Sequence, residues 1–158
     1  MHDYLAAENW KEADKETGEV MCRVAGRESE GWLREEDIDN FPCEDLRTIN
    51  QLWLNYSSGK FGFSVQKEIY ESLGGTRKYN SELEVEVLEK FADSVGWRQG
   101  GRCLTGRQLT FNSAVFNSAV PKRHLPVPGV FGGEKSVLLG IAACGVPFLA
   151  QRLVSCRI

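Results

Sequence analysis

Histidine is scarce in these 158 residues, with only His2 and His124 present. Two imidazoles are too few to complete a usual zinc set, and the five cysteines (Cys22, Cys43, Cys103, Cys144 and Cys156) form no C-x-x-C pair. The cysteines read as buried free thiols in a reducing compartment, and no metal-ligating residue is assigned. Catalytic motifs are missing as well. No G-x-S-x-G elbow, phosphate-cradling loop or H-E-x-x-H occurs, and no acid stands near His124 in sequence to orient it as a base. An enzyme is the weaker reading, and no catalytic residue is assigned. Long apolar runs are also lacking. Ser136 to Gln151 is uncharged for 16 residues, short of the ~20 that span a bilayer, and it contains two glycines and a proline. This leaves peripheral membrane contact at most. The opening MHDYLAAENWKEAD is acidic, reads as disordered at its very start, and has neither the apolar core of a secretory signal nor the arginines of a transit peptide.

Acid is absent almost entirely from the last third. Residues 96–158 hold one acid, Glu134, and 8 bases, for a sum of +7, whereas residues 1–50 hold 14 acids and 6 bases, for a sum of −8. A basic terminal third suits either an anionic partner or docking onto the acidic N-terminal half. Nucleic acid is disfavoured as that partner. The sequence pI is near 5.5, and Arg98, Arg102, Arg107, Lys122 and Arg123 do not share one helical face that could enter a groove.

What is present is helical periodicity. Trp10, Ala13, Thr17, Val20, Met21 and Val24 recur at three- and four-residue steps, with Asn9 and Glu12 resembling a capping box and Gly26 a stop. The stretch RESEGWLREEDIDNFP then breaks the period and reads as a long structured loop carrying Trp32, Leu33, Ile38 and Phe41. After Pro42 a second face appears (Leu46, Ile49, Leu52, Trp53, Tyr56), stopped at Ser57 to Gly59. A third helix starts near Ser64 as its cap and ends at Gly74-Gly75, so the pair lies antiparallel or crosses sharply. Ser81 to Glu84 reads as another capping box, before Val85, Leu88, Phe91 and Val95. Residues 106–135 show no sustained period and include a back-to-back copy of FNSAV, a loop long enough to suggest function. The tail from Glu134 to Val154 reads as a last helix, interrupted near Gly145-Val146-Pro147. No alternating strand is evident, and the length suits one domain over residues 1–158.

A small ligand that is both anionic and hydrophobic fits this composition. It needs an apolar cleft and a few cations at the rim. One irregular loop offers Trp32, Leu33, Ile38 and Phe41. The other offers Phe111, Phe116, Leu125 and Val127 with Lys122, Arg123 and His124. The alternative is that these side chains only tack their loops to the helical body, and composition leaves both open.

The stretch FPCEDLRTINQLWLNYSSGKFGFSVQKEIYESLGG, Phe41 to Gly75, resembles the genomes-uncoupled four family, the porphyrin-binding accessory proteins of magnesium chelatase in oxygenic phototrophs. NWKEADKETGEVMCRVAGR is similar to the family's first core helix, GWL and DIDNFP to its first ligand loop, VGWR to a later turn, and HLP to its second ligand loop. LAQRLVSC is similar to the tails of many cyanobacterial members. The resemblance implies an all-α, multihelical domain shaped like a cupped hand, with two long irregular ligand-binding loops. It implies a non-catalytic protein that holds protoporphyrin IX, its magnesium complex or, in some members, a bilin, and that presents porphyrin to the large subunit of magnesium chelatase. A cytosolic protein of cyanobacterial type, free or peripheral to the thylakoid, goes with that role. No cofactor is required.

Carried over by position, the ligand-binding residues are Leu33, Ile38 and Phe41 in the first loop, and Phe111, Lys122, Arg123, His124, Leu125 and Lys135 in the second. This sequence departs from the pattern at several points. Glu35 stands at an often apolar position. The motif S-A-P-x-G-H-L-P reads S-A-V-P-K-R-H-L-P, with Arg123 where glycine is expected. Only Lys135 follows HLP where arginines are usual, and Leu104 and Arg107 occupy a region that normally has a tryptophan. No counterpart of the family's preceding helical domain appears in these residues. An intact fold signature beside an altered loop also suits a paralogous tetrapyrrole sensor, or an interaction module in cyanobacterial signalling that has kept the fold and lost the ligand. His124 is either an axial ligand to a metalloporphyrin or a loop histidine bonded to its own backbone. YSSGKFGFSVQ reads as structural, with Gly59 and Gly62 permitting backbone conformations that other residues resist and the aromatics packing the turn between helices.

Overall fold

The computed structural model describes residues 1–76, 82–104, 125–126 and 146–158. Seven helices are found in these residues: α1 (His2–Ala6), α2 (Trp10–Val24), α3 (Glu35–Asp39), α4 (Cys43–Tyr56), α5 (Phe63–Ser72), α6 (Glu82–Ser94) and α7 (Val146–Ser155). The apolar spacing explains them. Trp10, Ala13, Thr17 and Met21 form the buried stripe of α2, and Leu46, Ile49 and Trp53 that of α4. The all-α expectation holds, with one addition. Arg98–Gln99 (β1) and Arg102–Cys103 (β2) pair antiparallel, Arg98 opposite Cys103. Gly100 and Gly101 turn this two-residue ribbon at φ of +58° and +78°, where side-chain-bearing residues are disfavoured. Each strand is too short to show alternation, which is why periodicity missed it.

Several local expectations are corrected. The extreme N-terminus is helical because Leu5 buries its side chain in the core. Asn9 precedes α2, but its side chain makes no capping bond. The 27–42 loop contains α3, whose start is closed by Asp37: its carboxylate accepts the Arg34 backbone N–H at 2.9 Å. Ser64 is not the cap of α5. Gly62 occupies that place, and the Ser64 N–H is satisfied by Asn50 Oδ1, reaching over from α4 at 2.9 Å. The Ser81 cap, the FNSAV copies and the tail from Glu134 to Gly145 lie outside the described residues.

Two apolar clusters make the core. One joins α1, α2, α4, the 27–42 loop, Phe61, Phe63 and Leu125. The other joins the C-terminal half of α5 to α6 and Trp97. Helix α7 serves both, sending Leu149 and Leu153 into the first and Val146 and Ala150 into the second. It packs chiefly along α5, and α3 lies against it too. The free-thiol expectation holds for Cys22, which is buried, and fails for Cys43 and Cys156, which form a disulfide with Cα atoms 5.3 Å apart. The cause is proximity that sequence spacing hides: the start of α4 and the end of α7 meet across 113 residues.

Candidate functional site

Four of the nine expected ligand residues fall in the described part, and the fold brings them together. Leu33 and Leu125 are 1 % and 0 % exposed, and Ile38 and Phe41 are each 2 % exposed. All four belong to the first apolar cluster. Leu125 of the second loop therefore meets the three residues of the first, and all four are core side chains in this structure. Phe111, Lys122, Arg123, His124 and Lys135 lie outside the described residues.

The second loop is tied down at Leu125–Pro126, which are joined by a cis peptide bond. The Gly62 N–H donates to the Leu125 carbonyl at 3.0 Å, and Gln66 Nε2 donates to the Pro126 carbonyl at 2.8 Å. Gly62 can do this because its backbone sits at φ +147°, ψ +155°, a region essentially restricted to glycine. A Cβ there would also come within 3.1 Å of Asn50 Oδ1 and 3.2 Å of Leu54 Cδ2. The sequence reading of Gly59 and Gly62 as backbone specialists holds, both having positive φ, whereas the roles of Gln66 and Asn50 were missed. The density of that motif was the available signal, since packing alone asks for no glutamine.

The first loop carries a charged and aromatic cluster. Arg34 grips Asp37 with two bonds, Nε to Oδ2 at 3.0 Å and Nη2 to Oδ1 at 2.9 Å. Hydrogen bonding from Arg34 holds the Asp37 carboxyl below the usual aspartate range, despite its burial. Arg27 pairs with Glu30 and Asp37, at 3.1 and 3.4 Å, and its guanidinium lies 5.2 Å from the ring centre of the half-buried Trp32. Trp32 is thus the aromatic side chain of this loop that keeps partial access to solvent.

A groove of about 280 Å³ runs between α2 and the start of the loop, lined by Lys15, Gly18, Glu19, Cys22, Arg23, Glu28 and Gly31. Its charges pair with each other, Lys15 with Glu19 and Arg23 with Glu28. Its thiol, Cys22, is pushed up by burial and so stays protonated at neutral pH. With no aromatic lining, the groove does not suit a flat apolar ligand. Among the described residues no cluster of three or more His, Cys, Asp or Glu could hold a metal ion, and no helix is long and apolar enough to cross a membrane.

Two described cations of the basic third differ in this respect, since Arg152 docks onto the acidic N-terminal half and Arg98 does not. Arg98 pairs with Glu89 and Asp93 of α6, and Arg152 donates to the Phe41 carbonyl at 2.8 Å.

Comparison with known proteins places this geometry. The Ycf53-like protein of Synechocystis sp. is 30% identical over 102 residues, covering 63% of this chain and 39% of the relative. The tetrapyrrole-binding protein, chloroplastic, of Arabidopsis thaliana is 31% identical over 72 residues, covering 44% of this chain and 27% of that protein. The matched region thus spans about two fifths or less of these relatives. Among solved structures, ligand-free Arabidopsis thaliana GUN4 superposes with a TM-score of 0.67 at 21% identity, covering 98% of this chain and 88% of that one. GUN4 from Chlamydomonas reinhardtii gives 0.64 at 22%, covering 97% and 83%. At such identities these two structures establish the fold. A family model described as GUN4-like matches residues 1–139, most of the sequence, and the chain therefore belongs to the GUN4-like family.

Proposed function

We propose that this protein binds a tetrapyrrole without transforming it, and that in an oxygenic phototroph it serves magnesium chelatase or reports tetrapyrrole levels. The observation that carries the reading is membership of the GUN4-like family over residues 1–139, a family with a relative named as a tetrapyrrole-binding protein. The meeting of Leu33, Ile38 and Phe41 of the first expected ligand loop with Leu125 of the second in one apolar cluster supports it. In this reading protoporphyrin IX or its magnesium complex, or alternatively a bilin, lies over the floor built by Leu33, Ile38, Phe41 and Leu125. Phe111 and the half-buried Trp32 supply aromatic contact. Lys122, Arg123 and Lys135 meet the propionates, and His124 stands beside them. The large subunit of magnesium chelatase is the proposed protein partner. The setting is the cytosol, free or peripheral to the thylakoid.

Titration with deuteroporphyrin IX, followed by tryptophan fluorescence, tests the reading. Quenching with a Kd at or below roughly the micromolar range supports it, and none up to tens of micromolar removes it. Replacing Lys122 and Arg123 with alanine weakens binding if they hold the propionates, and an unchanged titration counts against that role. The burial of Leu33, Ile38, Phe41 and Leu125 favours a second reading, an interaction module that keeps the fold without pigment, which the same null titration would select.

A further inference from the structure

The FGFSVQ run and the HLP step are far apart in sequence, yet they meet through two successive carbonyls. The Gly62 N–H takes that of Leu125, and Gln66 Nε2 takes that of Pro126. Gln66 is only 2 % exposed, so its carboxamide is placed where an unpaired donor is costly. One bond would leave the segment free to pivot. Two bonds on adjacent peptide units, with the Leu125 side chain buried beside them, fix both its position and its direction. The donors are themselves fixed. Asn50 Oδ1 accepts the Ser64 N–H, and the Gln66 N–H donates to the Gly62 carbonyl at 3.2 Å, so both donors belong to one rigid helical turn braced by α4.

We propose that Gln66, with Gly62, is a positioning residue for tetrapyrrole binding: it clamps Leu125–Pro126 and so sets the point from which the basic run Lys122–Arg123 and His124 extend. This rests on the function proposed above. Gln66 touches no ligand in this account. Its effect passes through the Pro126 carbonyl, so it acts on where the second loop starts and not on the chemistry at the propionates. A precisely held starting point reduces the ordering that binding must supply, and affinity rises accordingly.

The test uses the full chain carrying Gln66→Leu or Gln66→Met. Leucine removes the donor and leaves a shorter, apolar side chain. Methionine keeps the length of glutamine and has no hydrogen-bond donor at any pH. Three measurements are made: deuteroporphyrin IX affinity by fluorescence quenching, Soret-region circular dichroism of the saturated complex, and the rate of limited proteolysis within residues 105–145 without porphyrin. Both variants should bind roughly tenfold more weakly, show an altered Soret dichroism at saturation, and be cleaved faster in that segment, with far-UV helix content retained. A purely structural role would leave the saturated complex's dichroism as in the wild type. Wild-type affinity, dichroism and cleavage in both variants overturn the proposal, as does loss confined to Gln66→Leu, which would assign the effect to shape. Should Gln66→Leu fail to fold, Gln66→Met decides alone. If the unmodified chain binds no porphyrin, the functional reading falls, and the cleavage rates alone uphold or overturn the clamp.

Discussion

Trp53 is completely buried, yet it carries a polar N–H that must be answered. The answer is Thr17, on α2: its hydroxyl accepts the indole N–H at 3.1 Å and donates onward to the Ala13 carbonyl at 2.7 Å. Thr17 sits on the apolar stripe of α2, and the stripe predicted its burial while giving no hint of its partner. Replacing Thr17 with valine keeps the volume and strands the indole N–H, which should cost about 1–3 kcal/mol in denaturant unfolding. Replacing Trp53 with alanine adds a cavity between Trp10 and Phe61, whose rings lie 6.1 and 6.3 Å from its own, and should cost about 3–5 kcal/mol. Asp37 makes a pH-dependent contribution. Its folded pKa is depressed, so its stabilisation is fully present above the unfolded value of about 4 and is lost as pH falls through the lower folded value. Asp37→Asn should therefore be less stable than the wild type at neutral pH, with the gap closing on acidification below about pH 4. Thermal unfolding at a series of pH values checks this, and a gap that persisted to low pH would locate the effect elsewhere.

At the scale of elements, α7 shows what periodicity can and cannot report. Val146, Leu149, Ala150 and Leu153 follow the three- and four-residue rhythm, and the sequence marks them as one apolar stripe. It does not show that the stripe divides between two clusters, because spacing tells which residues share a face and not which neighbours they meet. The long helices α2, α4, α5 and α6 were legible for the same reason that α7 was. The short elements α1, α3 and the ribbon were not, since each is held by tertiary contacts and spans too few residues to declare a period. The candidate site was legible in a similar, partial way. Family resemblance picked out Leu33, Ile38, Phe41 and Leu125, and the fold does gather them, but only three-dimensional packing could reveal that they are covered. Because α7 seals both clusters, Leu153→Ala should destabilise the protein by about 2–5 kcal/mol. It should also loosen the 27–42 loop, seen as faster amide exchange around Ile38. Exchange accelerated only within α7 would show that the two are not coupled.

At the scale of the whole molecule, three links fasten the last helix to the junction between the first loop and α4. Arg152 donates to the Phe41 carbonyl at 2.8 Å, Arg47 Nη2 donates to the Cys156 carbonyl at 2.9 Å, and Cys43 is bonded to Cys156. All three join positions more than a hundred residues apart, but only the disulfide persists on unfolding and so removes freedom from the unfolded chain. The disulfide is the dominant one. Closing a span of 113 residues should contribute about 3–5 kcal/mol in the chain-entropy picture. Cys156 is buried, while Cys43 is half-buried at the start of α4, so a small dithiol can reach the bond from the Cys43 side. Reduction transfers two electrons and two protons to the pair, leaving two thiols and a cyclic disulfide of the reductant. Thermal unfolding should therefore shift to lower temperature in excess dithiothreitol. The double variant Cys43→Ser, Cys156→Ser should melt at the reduced protein's temperature and should not respond to dithiothreitol at all. The hydrogen bonds of Arg152 and Arg47 survive reduction, so α7 should stay docked and helix content at room temperature should change little. If the oxidised and reduced proteins melted together, the crosslink would carry no stabilisation, and the two arginine bonds with the apolar stripe would suffice to hold α7.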